Sequence, residues 1–273
     1  MTQQAADAAY CANLVRRLDP DRWLATLFAP EAARPGLLAL YAFNVEVART
    51  AEQVREPMLG RIRLQWWHEA IDAAYRGVSR NEPIERSLAT LIDSVELERS
   101  CFDRIIEARE TDLDTDSISS LDDLLAYAEA TSSTLVRLAL QVLGRPDQDA
   151  RSAGLAVALA GLMRSVTFHA AQGRVYLPKQ LLGAQGLVAN DLRDLKDSLP
   201  LRQAIAEVCK IAERHVDECN PVKRHAWPAL APVRLARLSL RHLKAAGYDP
   251  AKVHVPPFSK QFSLLTGSLL GRI

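Results

Sequence analysis

Apolar residues recur along this chain at steps of three and four, the period of a helix with one buried face. In "RPGLLALYAFNVEVARTAEQV" they are Leu37, Leu40, Tyr41, Val45 and Ala48, with Asn44 on the same face. "EPMLGRIRLQWWHEAIDAAYRG" repeats the pattern through Ile62, Trp66, Ala70 and Ala73, and Gly77 stops it. "PIERSLATLIDSVELE" and "SCFDRIIEARETDLD" read as a helix pair. "SLDDLLAYAEATSSTLVRLALQVLG" opens on Ser120 as an N-cap, carries acids in its first turn and stops at Gly144. "DARSAGLAVALAGLMRSVTFHAAQG", "LPLRQAIAEVCKIAERHVDECN" and "PALAPVRLARLSLRHLKAAG" complete the set. The strand-like tail "RVYLP" is too short to build a sheet. Connections are short, and neither an internal repeat nor a Gly/Ser linker divides the chain. The pattern predicts one all-α domain over residues 1–273, of about eight to ten helices. Residues 1–19 are expected to form a helical N-terminal extension.

Composition agrees with a packed core: 48% of the 273 residues are hydrophobic and 25% charged, which excludes a disordered chain. The net charge of +1 gives no ground for a nucleic-acid partner. Cys11, Cys101, Cys209 and Cys219 lack the spacing of a metal site or a CxxC pair and are expected to be reduced structural thiols. "MTQQAADAAY" has no basic segment followed by an apolar core, and the apolar run Gly154 to Met163 is too short to span a bilayer. The expectation is a cytoplasmic protein, or one peripheral on the inner face of the cytoplasmic membrane.

One stretch raises a question of chemistry. On a continuous helix from Gly154 to Gln172, Ala158, Gly161, Ser165 and His169 fall on one stripe, with Arg164 beside it. Such a small, weakly polar stripe suits close helix packing as well as a site. Ala48 and Glu52 lie one turn apart with Arg49 adjacent, and Glu52 could pair with Arg49, Arg55 or Arg164.

"YAFNVEVARTAEQV" and "GLAVALAGLMRSVTFHAAQGRVYLP" resemble the two signature helices of the squalene/phytoene synthase family. The first normally reads Y-A-F-C-R-x-x-D-D-x-x-D. The second reads G-x-A-x-Q-L-T-N-I-L-R-D-V-x-E-D, followed by G-R-x-Y-L-P. Tyr41, Ala42, Phe43, Gly154, Ala156, Leu159, Arg164, Val166, Gly173, Arg174, Tyr176, Leu177 and Pro178 match. The resemblance implies the isoprenoid synthase fold with a central cavity, and, for the family's enzymes, Mg²⁺ held by acids on facing helices to bind prenyl diphosphates. A hard dication needs several oxygen ligands, and carboxylates at i and i+4 point the same way. Here the acidic positions of the first motif fall on Ala48, Arg49 and Glu52, and those of the second on Ser165 and His169; the amide positions fall on Ala158 and Gly161. Only Glu52 is a carboxylate.

Asn44 in place of the usual cysteine, the Gln65-Trp66-Trp67 step and the Tyr127-Ala128-Glu129 segment resemble a divergent branch of the family, the one containing the mitochondrial complex I assembly factor. That likeness implies a non-catalytic relative without cofactor, binding an isoprenoid, a lipid or subunits of a respiratory complex. Tyr41, Asn44, Arg49, Glu52, Arg164, His169, Arg174 and Tyr176 are then the ligand- or anion-binding candidates. The rival is an active head-to-head prenyl transferase using Mg²⁺ with non-standard ligands, which would need acids elsewhere, for example in "DLDTDSISSLDD", Asp112 to Asp123. That segment reads instead as a helix-linking loop with an N-cap. A purely structural binding module is the third reading.

Two surface features remain. Trp66 and Trp67 follow Arg61 and Arg63, which suits a membrane-interface patch, or one core and one covered tryptophan. Lys223, Arg224, Arg234, Arg237, Arg241 and Lys244 make a basic amphipathic stretch, for an anionic membrane, an acidic partner or plain solvent. No GxSxG, HExxH, GxGxxG or GxxxxGK[ST] occurs, so hydrolase and nucleotide-binding readings lack support.

Overall fold

The computed structural model describes residues 2–78, 81–114, 118–188, 198–219 and 222–273, and every regular element among them is a helix. The longer helices are α1 (Gln3–Leu18), α3 (Arg34–Ala48), α5 (Pro57–Tyr75), α6 (Pro83–Ser94), α7 (Arg99–Ala108), α9 (Thr134–Val142), α10 (Ala150–Arg164), α13 (Leu199–Glu218), α15 (Pro232–Ala245) and α16 (Pro257–Leu270). Short segments α2 (Pro20–Thr26), α4 (Thr50–Gln53), α8 (Leu121–Ala128), α11 (Val166–Ala171), α12 (Lys179–Ala184) and α14 (Trp227–Leu230) continue or join them.

Helix α10 is the central element, packed against α13, α15, α9 and the turn before α9. Its composition explains this. Ala153, Gly154, Ala156 and Ala160 are small and buried, so neighbouring backbones approach closely from several sides. The first helix is part of the same core: α1 packs on α3 and α6 and buries Cys11, Leu14 and Val15. Asp7 on α1 accepts two 2.7 Å hydrogen bonds from Arg86 on α6, and those bonds hold its carboxyl below the ordinary value. Ser120 caps α8 in a reciprocal box with Asp123, as its sequence predicts. All four cysteines are buried and free. Trp67 is core, edge-on to Phe43 at 5.3 Å, and Trp66 is partly exposed.

Periodicity misjudged continuity at three places. The helix expected through Ala48 and Glu52 breaks at Arg49, where the Thr50 hydroxyl bonds back to the Glu46 carbonyl at 3.4 Å. The helix expected from Gly154 to Gln172 breaks at Ser165 (φ −104°, ψ 16°), where weak helix formers Ser165, Val166 and Thr167 follow one another. Between α8 and α9 the hydroxyl-rich run Glu129–Ser133 widens into a π turn, with Thr134 bonding the Glu129 carbonyl. The basic stretch on α15 is not one solvated face either. Arg234 turns under α16 to the Ser263 and Arg272 carbonyls, and Arg237 pairs with Asp217. No helix among the described residues is long and apolar enough to cross a membrane.

Candidate functional site

The helix breaks at Arg49 and Ser165 face one cavity of about 390 Å³. Asn44, Val45, Ala48 and Arg49 line it from α3, and Ala158, Gly161, Arg164, Ser165 and His169 from α10 and α11. Leu235 and Ser239 of α15 close a further side, and Asp19, Asp21 and Arg22 stand at the corner between α1 and α2. The stripe expected from sequence therefore meets open space even though its helix is broken. Small side chains make the space: a Cβ on Gly161 would meet nothing within 4 Å.

The cavity lining carries Arg22, Arg49, Arg109 and Arg164 against Asp19 and Asp21, and its cations are held by acids in and around it. Arg22 pairs with Asp19 at 2.6 Å, and Asp21 is shared between Lys260 at 2.6 Å and Arg164 at 3.6 Å. Arg164 also reaches the Ser239 hydroxyl at 3.4 Å. Arg49 spends its charge on Glu52 at 3.1 Å.

Glu52 points away from the cavity into a neighbouring cleft, where Arg174 approaches it at 3.4 Å. Arg174 is nearly buried and also bonds the Gln172 side-chain carbonyl. Glu52 is thus held between two guanidiniums. Tyr41 is buried in the core with Arg22 over its ring at 5.8 Å.

Tyr176 leads to a buried cluster that periodicity did not mark as a site. Its hydroxyl donates to Asp112 at 2.7 Å, and Tyr127 donates to the same carboxylate oxygen at 2.7 Å. Arg109 donates to Tyr127 at 2.7 Å and to the other Asp112 oxygen at 3.3 Å. Burial raises both phenols, so they stay protonated donors. The sequence places Asp112 in a linking loop, and the structure makes it the centre of this network. Of the other acids in that segment, Asp114 pairs with Arg61, Asp122 is exposed, Asp123 serves the cap, and Asp116 lies outside the described residues. No group of three or more His, Cys, Asp or Glu among the described residues is placed to hold a metal ion.

His169 connects cavity and cluster. Its ring stands edge-on to Tyr176 at 4.9 Å, and its Nδ1 is buried without a hydrogen-bond partner. Burial, helped by the Arg174 charge, lowers its pKa to about 4. Its ¹H–¹³C resonances are expected to titrate with a midpoint near pH 4; a midpoint at or above 6 would contradict this burial. Because the unfolded ring binds its proton more tightly, His169 makes the fold lose stability as pH falls from about 6.5 towards 4. His169→Gln should remove that part of the slope.

The squalene/phytoene synthase family model matches residues 15–260. The chain is 28% identical over 270 residues to the NADH dehydrogenase (ubiquinone) complex I assembly factor 6 of Bos taurus, covering 95% of this chain and 80% of that protein. It is 29% identical over 201 residues to the presqualene diphosphate synthase of Rhodopseudomonas palustris, covering 71% and 70%. Among solved structures, a dehydrosqualene synthase in complex with ligand superposes with a TM-score of 0.84 at 21% identity, over 98% of this chain and 97% of that one. The isoprenoid synthase-type helical fold expected from the two signature helices is therefore the fold observed, and the chain belongs to the squalene/phytoene synthase family.

Proposed function

We propose that this protein is a non-catalytic member of its family and that it serves as an assembly factor for a respiratory NADH:quinone oxidoreductase, keeping the cavity as a binding pocket for an isoprenoid, a lipid or a segment of a partner. The observation that carries the proposal is the state of Glu52. Mg²⁺ bound to diphosphate needs several free oxygen donors on facing helices. The six acidic positions of the family pattern hold Ala48, Arg49, Glu52, Ser165, Phe168 and His169, and Glu52 is already neutralised by Arg49 and Arg174. This donor set does not fit the ion, so no ionisation of a prenyl diphosphate is derived through it. Asp19 and Asp21 do not replace it, since each is committed to a cation. The 28% identity to the bovine assembly factor over nearly the whole chain supports the second half of the proposal.

Two assays test the halves separately. Purified protein given farnesyl diphosphate, Mg²⁺ and NADPH is expected to yield no presqualene diphosphate or squalene above the protein-free background. Coupled product at enzyme-like rates overturns the non-catalytic reading. A deletion strain is expected to lose membrane NADH:quinone oxidoreductase activity and to regain it with the wild-type gene. Unchanged activity in the deletion overturns the assembly role.

A further inference from the structure

Helix α16 is apolar on its outer side. Its inner side is accounted for: Leu264 is buried, Gly267 lies against the Arg234 side chain, and Lys260 reaches Asp21 at 2.6 Å. Half a turn away stand Phe258, Phe262, Leu265 and Leu269, at steps of four, three and four. They are 74%, 57%, 51% and 78% exposed, and the two phenylalanine rings stack at 6.3 Å. A surface helix ordinarily turns such a stripe inward and its polar residues outward. Serines, a threonine and a glutamine flank the stripe, and α16 contains no acid.

The surroundings are strongly basic. From Pro232 to Ile273 the chain carries Arg234, Arg237, Arg241, Lys244, Lys252, Lys260 and Arg272 against the single acid Asp249, in a protein whose overall charge is +1; of these cations Arg237, Lys252 and Lys260 are paired with Asp217, Asp249 and Asp21. Arg234, near the start of α15, bonds the Ser263 carbonyl midway along α16 and the Arg272 carbonyl just past its end. Arg241, two turns beyond Arg234 on the same face of α15, and Lys244 are exposed, and so is Arg272 just past the end of α16. Burial, together with Arg237 and Arg241, lowers the pKa of Arg234, which reflects how closely these cations gather.

We propose that the Phe258–Phe262–Leu265–Leu269 face of α16 lies in the headgroup region of an anionic lipid bilayer, with Arg241, Lys244 and Arg272 on lipid phosphates. Charge selects this occupant: an apolar stripe bordered by cations and free of acids is the composition of an interfacial helix. The exposed stripe on α5 (Met58, Ile62, Trp66) makes the contrast, because its neighbours Arg61 and Arg63 are paired with Asp114 and Glu46. The inference does not depend on the proposed assembly role.

Flotation of the full chain with vesicles tests it. Binding is expected to vesicles containing phosphatidylglycerol, to be far weaker with phosphatidylcholine alone, and to fall with salt. Phe258→Ser/Phe262→Ser and, separately, Leu265→Ser/Leu269→Ser should each weaken binding at least about tenfold with an unchanged thermal melt, since they remove area buried in the bilayer. Met58→Ser/Ile62→Ser should leave it unchanged. Three results would overturn the proposal: no binding by the wild type, binding by both α16 variants equal to that of the wild type, or a wild-type dimer that the α16 substitutions make monomeric without any vesicle binding.

Discussion

Asp112→Ala is expected to lower the free energy of unfolding by about 3–5 kcal/mol, seen as a lower urea midpoint with an unchanged slope. The carboxylate is almost wholly buried and is the only acid bonded to the Arg109 guanidinium among the described hydrogen bonds and ion pairs. Removing it leaves a buried cation uncompensated and takes the acceptor from the Tyr127 and Tyr176 hydroxyls. Asp112→Asn keeps an oxygen for the tyrosines and loses the charge together with the oxygen that accepts from Arg109, so its cost should be smaller, about 1–3 kcal/mol. Equal losses in the two variants would show that the tyrosine hydrogen bonds contribute nothing beyond the Arg109 ion pair. A loss below about 1 kcal/mol for the alanine variant would show that water reaches the cluster and solvates Arg109.

Asp112 also shows why the site was only half legible. Its one-turn helix Arg109–Leu113 has too few residues to display a period, and its partners Tyr127 and Tyr176 are 15 and 64 positions away. Nothing local in "RETDLD" says that this aspartate is buried while Asp114 is not. The cavity face was readable because its residues share two helices. Ala48 and Arg49 fall on one, Ala158, Gly161 and Ser165 on the other, and the family pattern aligns both. The direction in which Glu52 points was not readable. It depends on the break at Arg49, which rests on a threonine hydroxyl competing for a backbone carbonyl. Arg174 lies 122 positions from Glu52, and only the folded chain shows that both guanidiniums meet one carboxylate. The outward stripe of α16 has the period of a core face, and periodicity alone gives no sign of which way a helix turns.

Helix α10 supplies a prediction in which two like substitutions have opposite signs. Alanine is a better helix former than glycine by about 1 kcal/mol, so propensity alone makes any Gly→Ala change in this helix stabilising. Gly161→Ala should behave that way, gaining up to about 1 kcal/mol, because the added methyl enters the cavity and touches nothing within 4 Å. Gly154→Ala should instead lose about 1–3 kcal/mol, and Gly154→Val more. A Cβ at Gly154 would overlap the Ser133 backbone, and that backbone cannot easily withdraw. Ser133 ends the π turn, is buried, and is tied to the Arg151 carbonyl by its hydroxyl at 2.8 Å. The neighbour is therefore rigid main chain rather than the far end of a flexible side chain. Urea unfolding of the two alanine variants decides the matter. Stabilisation by Gly154→Ala would mean that the π turn yields and that the close approach of α10 is not what requires glycine there. Destabilisation by Gly161→Ala would mean that the space beside it is narrower than the described cavity.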